Sequence, residues 1–330
     1  MKQLENKYNT WRPEKGQKLF NNIRNETVRN DWLMNKRKIR DIIGTKSMLI
    51  ITITITIIFF LIFFTLLFKS SMILGSKSIT DLLFSSNWNP SKGEYGFFSI
   101  IAGTVLVTGF ALIIAIPISL LSAIYIAEYA PKKIKKIIRP FLDVLAGVPS
   151  VVFGLCAFLF LVPLTRDFIA PFFGIDSTGL CLFTASITLA VMVFPIIISL
   201  CVESFSSIPI ELKEASLAVG ATKWETVKKV IFRASAPSII SAILLGFGRA
   251  FGETIAVNMV VGGIPKLPSS IFAPTETLPS LIASKYGELM SIPQSESALM
   301  LGALLLFIIV LIFNLLGLFV LRKAKRKWNF

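Results

Sequence analysis

The sequence predicts an all-α, polytopic membrane protein with six transmembrane helices. Of its 330 residues, 54% are hydrophobic and the mean hydropathy is +0.73, whereas soluble domains are about 45–50% apolar. The apolar residues form blocks that are long enough to cross a bilayer core of about 30 Å as helices. A lone strand would leave its backbone groups unpaired in lipid, so each block is interpreted as a helix.

Charged or turn-rich segments separate the six predicted spans. The first span has an Ile-Thr alternation with the period of a strand, but its length favours a helix. Its position behind a long charged segment predicts an anchor that is retained and not a cleaved signal peptide. The spans are predicted at about residues 47–68, 97–125, 141–162, 180–202, 236–262 and 298–321.

The distribution of charge predicts the orientation of the chain. The formal net charge is +15, and most of the 34 Lys and Arg residues fall on one side if the N-terminus is cytoplasmic. This asymmetry predicts six spans with both termini in the cytoplasm. The basic residues left in the outer loops are Lys69, Lys77, Lys92, Arg166, Lys266 and Lys285.

Composition excludes several classes of site. Histidine is absent from the sequence, which excludes zinc–histidine sites and His-based triads. Cys156, Cys181 and Cys201 form no C-x-x-C pair and are interpreted as small buried hydrophobes. The segment 44–47 lacks the glycine that precedes the P-loop lysine. We therefore expect no metal, no cofactor and no ATP hydrolysis in this chain, and we expect no nucleic-acid partner because its basic residues flank the spans.

The segment 203–235, between the fourth and fifth spans, predicts two short helices. The first covers about residues 209–219, and Gly220 is a natural left-handed stop. Thr222 with Glu225 three residues later forms the pattern of a capping box that begins the second helix. From physical chemistry alone, this segment is equally compatible with an ordinary surface hairpin and with a docking element.

A motif in the first of these helices carries a family resemblance. Glu214-Ala215-Ser216, followed by Gly220, resembles the EAA signature of the permeases of type I ABC importers. In that family the loop forms the coupling helix, which docks in a groove of a cytoplasmic ATPase. The resemblance implies that Glu214, Ala215, Ser216 and Gly220 belong to an ATPase-coupling loop.

The same loop departs from the family pattern at its end. The pattern usually closes with Leu-Pro, whereas this sequence has Phe232-Arg233 there and its next proline is Pro237. The departure concerns the end of the second helix and not the docking segment.

Three further stretches narrow the resemblance. Residues 246–257 read Gly-Phe-Gly-Arg-Ala-Phe-Gly-Glu-Thr-Ile-Ala-Val and resemble the fifth helix of phosphate-specific permeases, of the PstC type more than the PstA type. Residues 87–96 and 145–154 also resemble phosphate-specific permeases, and all the stretches occur in the same order along the chain as in that family. The resemblance covers about residues 87–321 and identifies the chain as similar to the PstC-type phosphate ABC transporter permeases.

The resemblance implies a type I ABC importer permease fold and a set of partners. The predicted domains are a basic cytoplasmic tail (1–46), the first transmembrane helix with its outer loop (47–96), the ABC transmembrane type-1 domain (97–321) and a second basic cytoplasmic tail (322–330). The implied partners are a cytoplasmic ABC ATPase dimer, a second homologous permease of the PstA type, an extracytoplasmic phosphate-binding protein, membrane lipid and inorganic phosphate. The implied location is the bacterial inner (cell) membrane.

Two charged residues in the fifth predicted span are candidates for the substrate pathway. Arg249 and Glu253 lie four residues apart, on one face of a helix, and each charge at the centre of a span costs about 2.5–3.5 kcal/mol on insertion scales. They form either a structural ion pair or a site where the arginine fork meets an oxyanion and the glutamate orients it. Thr254 and Asn258 are further candidates for the pathway.

Three alternatives to a phosphate permease remain open from the sequence. The same architecture would suit another oxyanion, such as sulfate or molybdate. An intramembrane enzyme would need catalytic polar groups within the spans, and Arg249 with Glu253 offers no nucleophile–base pair. An ion channel would need an element resembling a selectivity filter and would not need a docking loop.

Overall fold

The computed structural model describes residues 13–328, with side chains for residues 40–326. The described chain is mainly helical, as predicted, and its strands form one antiparallel hairpin of two residues each, β1 (Trp88–Asn89) and β2 (Glu94–Tyr95). The chain divides into two compact units, Met1–Phe64 and Thr65–Phe330. The helices are α1 (Pro13–Lys69), α2 (Ser71–Ser76), α3 (Ile79–Phe84), α4 (Phe98–Tyr129), α5 (Lys132–Gly147), α6 (Ser150–Phe172), α7 (Leu182–Ser206), α8 (Ile210–Ala218), α9 (Lys223–Ala234), α10 (Ala236–Phe251), α11 (Ile255–Asn258), α12 (Leu278–Leu289) and α13 (Pro293–Trp328).

The first unit consists of helix α1 up to Phe64, and residues 1–12 of the predicted tail lie outside the described residues. From Pro13 the helix continues into the predicted first span without a break. The Ile-Thr alternation is accommodated because the hydroxyls of Thr52, Thr54 and Thr56 each donate to the backbone carbonyl four residues earlier, at 2.9 Å. The polar groups of this apolar span are thus satisfied within the helix.

The number of candidate spans agrees with the predicted six. Five helices of the described chain are long and apolar enough to cross a membrane, and a bent pair makes a sixth if it is counted as one span. The bent pair is α9 with α10, which meet at an angle of 70°. The other candidates are Arg40–Ser76, Phe98–Tyr129, Ser150–Phe172, Leu182–Ser206 and Pro293–Arg326.

The predicted third span, about residues 141–162, is wrong in position. Its first part belongs to the separate helix α5, and the span begins at Ser150 and continues through Pro163 to Phe172. Val148 is extended because it precedes Pro149, and a residue before proline disfavours the helical region. Pro163 is tolerated because a wider π-helical turn, Ala157–Leu161, precedes it.

Helix α7 forms the centre of the second unit and packs against both α4 and α10. Its side chains Ala185, Ala190, Ile197 and Phe205 are fully buried. Gly246 of α10 permits this approach because a Cβ atom there would lie 2.8 Å from Ile197 Cδ1. The cysteine prediction is confirmed for Cys181 and Cys201, which are buried free thiols, whereas Cys156 is exposed.

Candidate coupling hairpin and transport pathway

Residues 209–234 form a helical hairpin, called here the coupling hairpin, and its predicted architecture is confirmed. Gly220 has a φ of +86°. The backbone N–H of Gly220 donates to Leu217 O at 2.9 Å, and that of Ala221 donates to Ser216 O at 3.2 Å. These two bonds end helix α8 in the manner of a Schellman motif. Because the left-handed region is unfavourable for residues with a Cβ, the sharp reversal depends on glycine.

The second helix of the coupling hairpin begins at the predicted capping box. The Glu225 N–H donates to Thr222 Oγ1 at 3.2 Å, and the Thr222 N–H donates to Glu225 Oε2 at 3.0 Å. The hydroxyls of Ser216 and Thr226 are hydrogen-bonded at 3.0 Å, which joins the two helices. The hairpin therefore has a hydrogen-bonded second helix start and a bond between its two helices.

The surface of the coupling hairpin exposes several large apolar side chains among its charged residues. Glu214, Ala215 and Gly220 are exposed, and Ser216 is half-buried. Exposed apolar surface of this kind marks interaction sites. The large hydrophobic side chains exposed here are Ile210, Leu212, Leu217, Val219, Trp224 and Phe232, and Val219 is 85% exposed.

The predicted fifth span, about residues 236–262, is interrupted within the candidate pathway. Helix α10 ends at Phe251, and the short helix α11 begins at Ile255. The Glu253 N–H donates to Ala250 O at 3.3 Å, which tightens and closes α10. Beyond α11 the chain leaves helical structure, and Gly262 has a φ of +97°. Irregular backbone at membrane depth is tolerated where it is buried in protein or lines a water-filled cavity.

Arg249 and Glu253 do not form the predicted ion pair. The structure places no carboxylate oxygen of the described residues within 4.0 Å of the Arg249 guanidinium. The reason is the helix break between the two residues, which removes the shared helical face that an uninterrupted helix would give them. Both residues are half-buried.

Arg249 lines a cavity of about 640 Å³ that is open to the surface and lies between α7, α10 and α13. Its neighbours in the lining are mainly apolar, with Asn314 and Ser241 as uncharged polar groups. The cavity is therefore an apolar space with a single formal charge in its lining, which is the guanidinium. A planar fork of donors in apolar surroundings is suited to a tetrahedral oxyanion.

Glu253 lines a different, small cavity, with Thr104, Thr108 and Thr277 among its neighbours. Its Oε1 accepts the backbone N–H of Ala256 at 3.3 Å. The carboxylate thus satisfies one of the free donors at the start of α11. Glu253 stabilises the helix break and does not neutralise the arginine.

The structure separates the two weaker pathway candidates. Thr254 is half-buried, and its hydroxyl donates to the carbonyl of Gly252 at 3.1 Å. This bond lies within the break between α10 and α11. Asn258 is exposed, and its Oδ1 accepts the Ser280 hydroxyl at 2.6 Å. Asn258 therefore ties α11 to α12.

Sequence reasoning missed two charged features of the second unit, a buried carboxyl and a partly buried ion pair. Glu276 is 2% exposed and accepts the Ser284 hydroxyl at 3.4 Å. Burial raises the pKa of the Glu276 carboxyl to about 7, although the charge of Lys285 and the bond from Ser284 act against this shift. The other missed feature is the ion pair of Lys213 with Glu128, at 2.6 Å. These partners are distant in sequence, so no local pattern signals the contact.

A family model matches most of the described chain. It is the model described as "Binding-protein-dependent transport system inner membrane component", and it matches residues 115–327. The matched range includes the coupling hairpin, the helix break and the cavity that Arg249 lines.

Three similar proteins have names that concern transport. The probable phosphate transport system permease protein PstC of Methanocaldococcus jannaschii is 33% identical over 303 residues, with 87% of this chain and 96% of that protein covered. PstC of Haemophilus influenzae is 35% identical, with 82% and 92% covered. The probable ABC transporter permease protein YqgH of Bacillus subtilis is 35% identical, with 82% and 87% covered.

Two similar solved structures agree on the fold. An inward-facing form of the MetNI methionine ABC transporter has a TM-score of 0.50 at 22% identity, with 69% of this chain and 94% of that chain covered. A bacterial ABC transporter involved in alginate import has a TM-score of 0.51 at 16% identity, with 69% and 79% covered. At these identities the likeness shows the ABC importer permease fold alone.

Proposed function

Since this chain belongs to the family of binding-protein-dependent transport system inner membrane components, we propose that it is the PstC-type permease subunit of an ATP-driven phosphate importer. It forms half of the translocation pathway and carries out no chemistry of its own. The names of the relatives favour phosphate over another oxyanion. The uptake of labelled anions distinguishes phosphate from sulfate and molybdate.

One observation carries the anion-transport part of the proposal. The Arg249 guanidinium lines a cavity without a carboxylate of the described chain within 4.0 Å. An unneutralised charge in an apolar environment is costly. A passing oxyanion would offset that cost transiently, because charge-assisted hydrogen bonds to a guanidinium are strong.

The family implies two kinds of partner, an ATPase and a substrate-binding protein. We propose that the ATPase is a cytoplasmic dimer that contacts the coupling hairpin, with Glu214, Ala215, Ser216 and Gly220 in the docking segment. The second permease would be a homologous chain of the PstA type, and both termini of this chain would be cytoplasmic. The exposed apolar side chains of the hairpin support the docking role, and the one-sided distribution of Lys and Arg supports the orientation.

The proposed mechanism is alternating access. Closure of the ATPase dimer on ATP moves the coupling hairpin, and the helix bundles rock between inward-open and outward-open arrangements. Arg249 then meets phosphate when the pathway opens towards the binding protein. Glu253 and Asn258 stabilise the break between α10 and α11, beside which the anion passes.

The test is uptake of radiolabelled phosphate. Cells that lack their own phosphate importers would express this chain together with its ATPase, second permease and binding protein. Phosphate uptake that depends on this chain supports the proposal. Uptake of labelled sulfate or molybdate without phosphate uptake would reassign the cargo, and no uptake of any of the three by the assembled complex would reject the oxyanion function.

A further inference from the structure

The coupling hairpin is attached to the end of α4 by an ion pair. Lys213 Nζ lies 2.6 Å from Glu128 Oε1, and the two side chains are only 20% and 12% exposed. Lys213 is next to Glu214 on α8, whereas Glu128 lies in the last turn of the membrane span. This contact therefore joins the segment proposed to dock on the ATPase to a helix that crosses the membrane.

Further contacts fix the same junction. Lys213 Nζ also donates to the backbone carbonyl of Phe205, near the end of α7, at 3.3 Å. Lys223 of α9 lies over the ring of Tyr129 at 4.5 Å from the centroid. On the far side of the span end, Lys135 of α5 donates to the carbonyl of Ala127 at 2.5 Å. One ammonium group, that of Lys213, thus links the hairpin to two spans.

The end of α4 has a geometry that suits a moving part. Residues Tyr125–Tyr129 form a π-helical turn, and such turns are frequent at functional sites. The N–H of Ala130, which follows the turn, donates to Tyr125 O at 2.8 Å. The turn widens the hydrogen-bond ladder at the end of the span, where Glu128 and Tyr129 contact the hairpin.

We propose that Lys213 and Glu128 act as a strut that transmits displacement of the coupling hairpin to α4. The inference rests on the proposed function only in so far as an ATPase moves the hairpin. Lys213 and Glu128 are positioning residues, because neither is placed against the transported anion. An exposed ion pair would transmit little, since such pairs are weak and readily replaced by water. A largely buried pair resists separation, because removal of one partner leaves the other charge without compensation.

The test uses the complete transporter and hydrogen exchange followed by mass spectrometry. In the wild-type complex, trapping the ATPase with ATP and vanadate should change exchange both in the hairpin (209–234) and at the end of α4 (121–131). In Lys213→Met the hairpin should still respond while residues 121–131 should not. Phosphate uptake by this variant should fall about tenfold, in the range that coupling networks can supply, with the ATPase still recovered in pull-downs.

Matched variants separate transmission from folding. Lys213→Arg keeps the charge and should retain the response of residues 121–131. The double variant Glu128→Gln with Lys213→Met should be no worse than either single variant, because both act through one contact. Lys285→Met is the control, since it removes an exposed ion pair with Glu288, at 3.0 Å, outside the hairpin, and residues 121–131 of this variant should respond as in the wild type.

The proposal is overturned if residues 121–131 of Lys213→Met respond to trapping as in the wild type, or if the double variant loses the sum of the two single losses. It is also overturned if the ATPase is no longer recovered in pull-downs with the single variants. The ion pair would then maintain the structure of the hairpin and would not transmit its movement. A wild-type complex that shows the exchange response but takes up no phosphate would reject the proposed cargo alone. The exchange measurement does not depend on the transported ion.

Discussion

Arg249 and Glu253 are four residues apart in sequence but line two different cavities of the structure. The separation follows from the end of α10 at Phe251 and from the bond that Glu253 accepts from the Ala256 N–H. The two residues therefore have different tasks. The arginine supplies charge to a cavity, and the glutamate stabilises the broken backbone beside it.

The first prediction concerns the charge of Arg249. We expect Arg249→Ala to lower phosphate uptake about 100-fold or more, as the loss of a preorganised hydrogen-bond donor to an oxyanion does elsewhere, while the subunits still assemble. Transport assays and recovery of the complex by pull-down would check this. Asn314→Ala, which changes an uncharged side chain of the same cavity, should leave uptake near that of the wild type.

Uptake by Arg249→Ala close to the wild-type level would contradict the pathway role. The arginine would then be a structural residue, and the thermal stability of the variant should fall instead. Equal losses in Arg249→Ala and Asn314→Ala would implicate the shape of the cavity and not its charge.

The second prediction concerns the bond that Glu253 makes at the helix break. Glu253→Gln keeps a side-chain oxygen that can accept the Ala256 N–H, whereas Glu253→Ala does not. We expect the alanine variant to be less stable by about 1 kcal/mol, the usual effect of losing a helix cap, and the glutamine variant to melt near the wild type. Thermal unfolding of the purified complex in detergent measures the difference, and equal midpoints for all three proteins would exclude the role assigned to this bond.

The third prediction concerns the reversal in the coupling hairpin. Gly220 has a φ of +86°, and no atom beyond the adjacent residues lies within 4 Å of the position that a Cβ would occupy there. Gly220→Ala therefore meets no clash and introduces only backbone strain, of about 1–2 kcal/mol. We expect the hairpin to loosen and the ATPase to be recovered from pull-downs in lower yield.

Gly287→Ala is the matched control for Gly220→Ala. Gly287 also has open space around it, but it lies within α12 and outside the left-handed region. Alanine is more favourable than glycine inside a helix, so recovery of the ATPase should be unchanged. Loss of the ATPase in both variants, or in neither, would contradict a specific need for the left-handed residue.

The sequence predicted those parts of the fold that depend on local chemistry. The capping box of Thr222 with Glu225 and the left-handed Gly220 involve residues within a few positions of each other, and both were predicted. The start of α6 at Ser150 was not predicted, although Pro149 is a local signal, because the apolar run continues across the proline. Hydropathy reports that a segment is apolar, whereas backbone geometry decides where one helix ends.

The candidate site was predicted less completely, for a different reason. The identities of Arg249 and Glu253 follow from the cost of charge in a span, but their separation depends on a break that begins at Gly252. The pair of Lys213 with Glu128 and the burial of Glu276 depend on which distant segments pack together. Neither the ion pair nor the burial can be predicted from the hydrophobic periodicity of the sequence.

The last prediction uses the buried Glu276. Because burial raises the pKa of this carboxyl from 4.5 to about 7, the folded state prefers its protonated form. Below about pH 4.5 both states are protonated and the group has no effect on stability. As the pH rises, the unfolded chain loses the proton first, so the folded state becomes less stable until about pH 7, by roughly 3 kcal/mol in all.

Glu276→Gln, which stays neutral, should therefore raise the melting temperature at about pH 8 and have little effect at about pH 4.5. Glu288→Gln is the control, because Glu288 is 67% exposed and its contact with Lys285, at 3.0 Å, is a surface pair. A melting difference for Glu276→Gln that is the same at both pH values would show that the carboxyl does not titrate in the folded state as proposed.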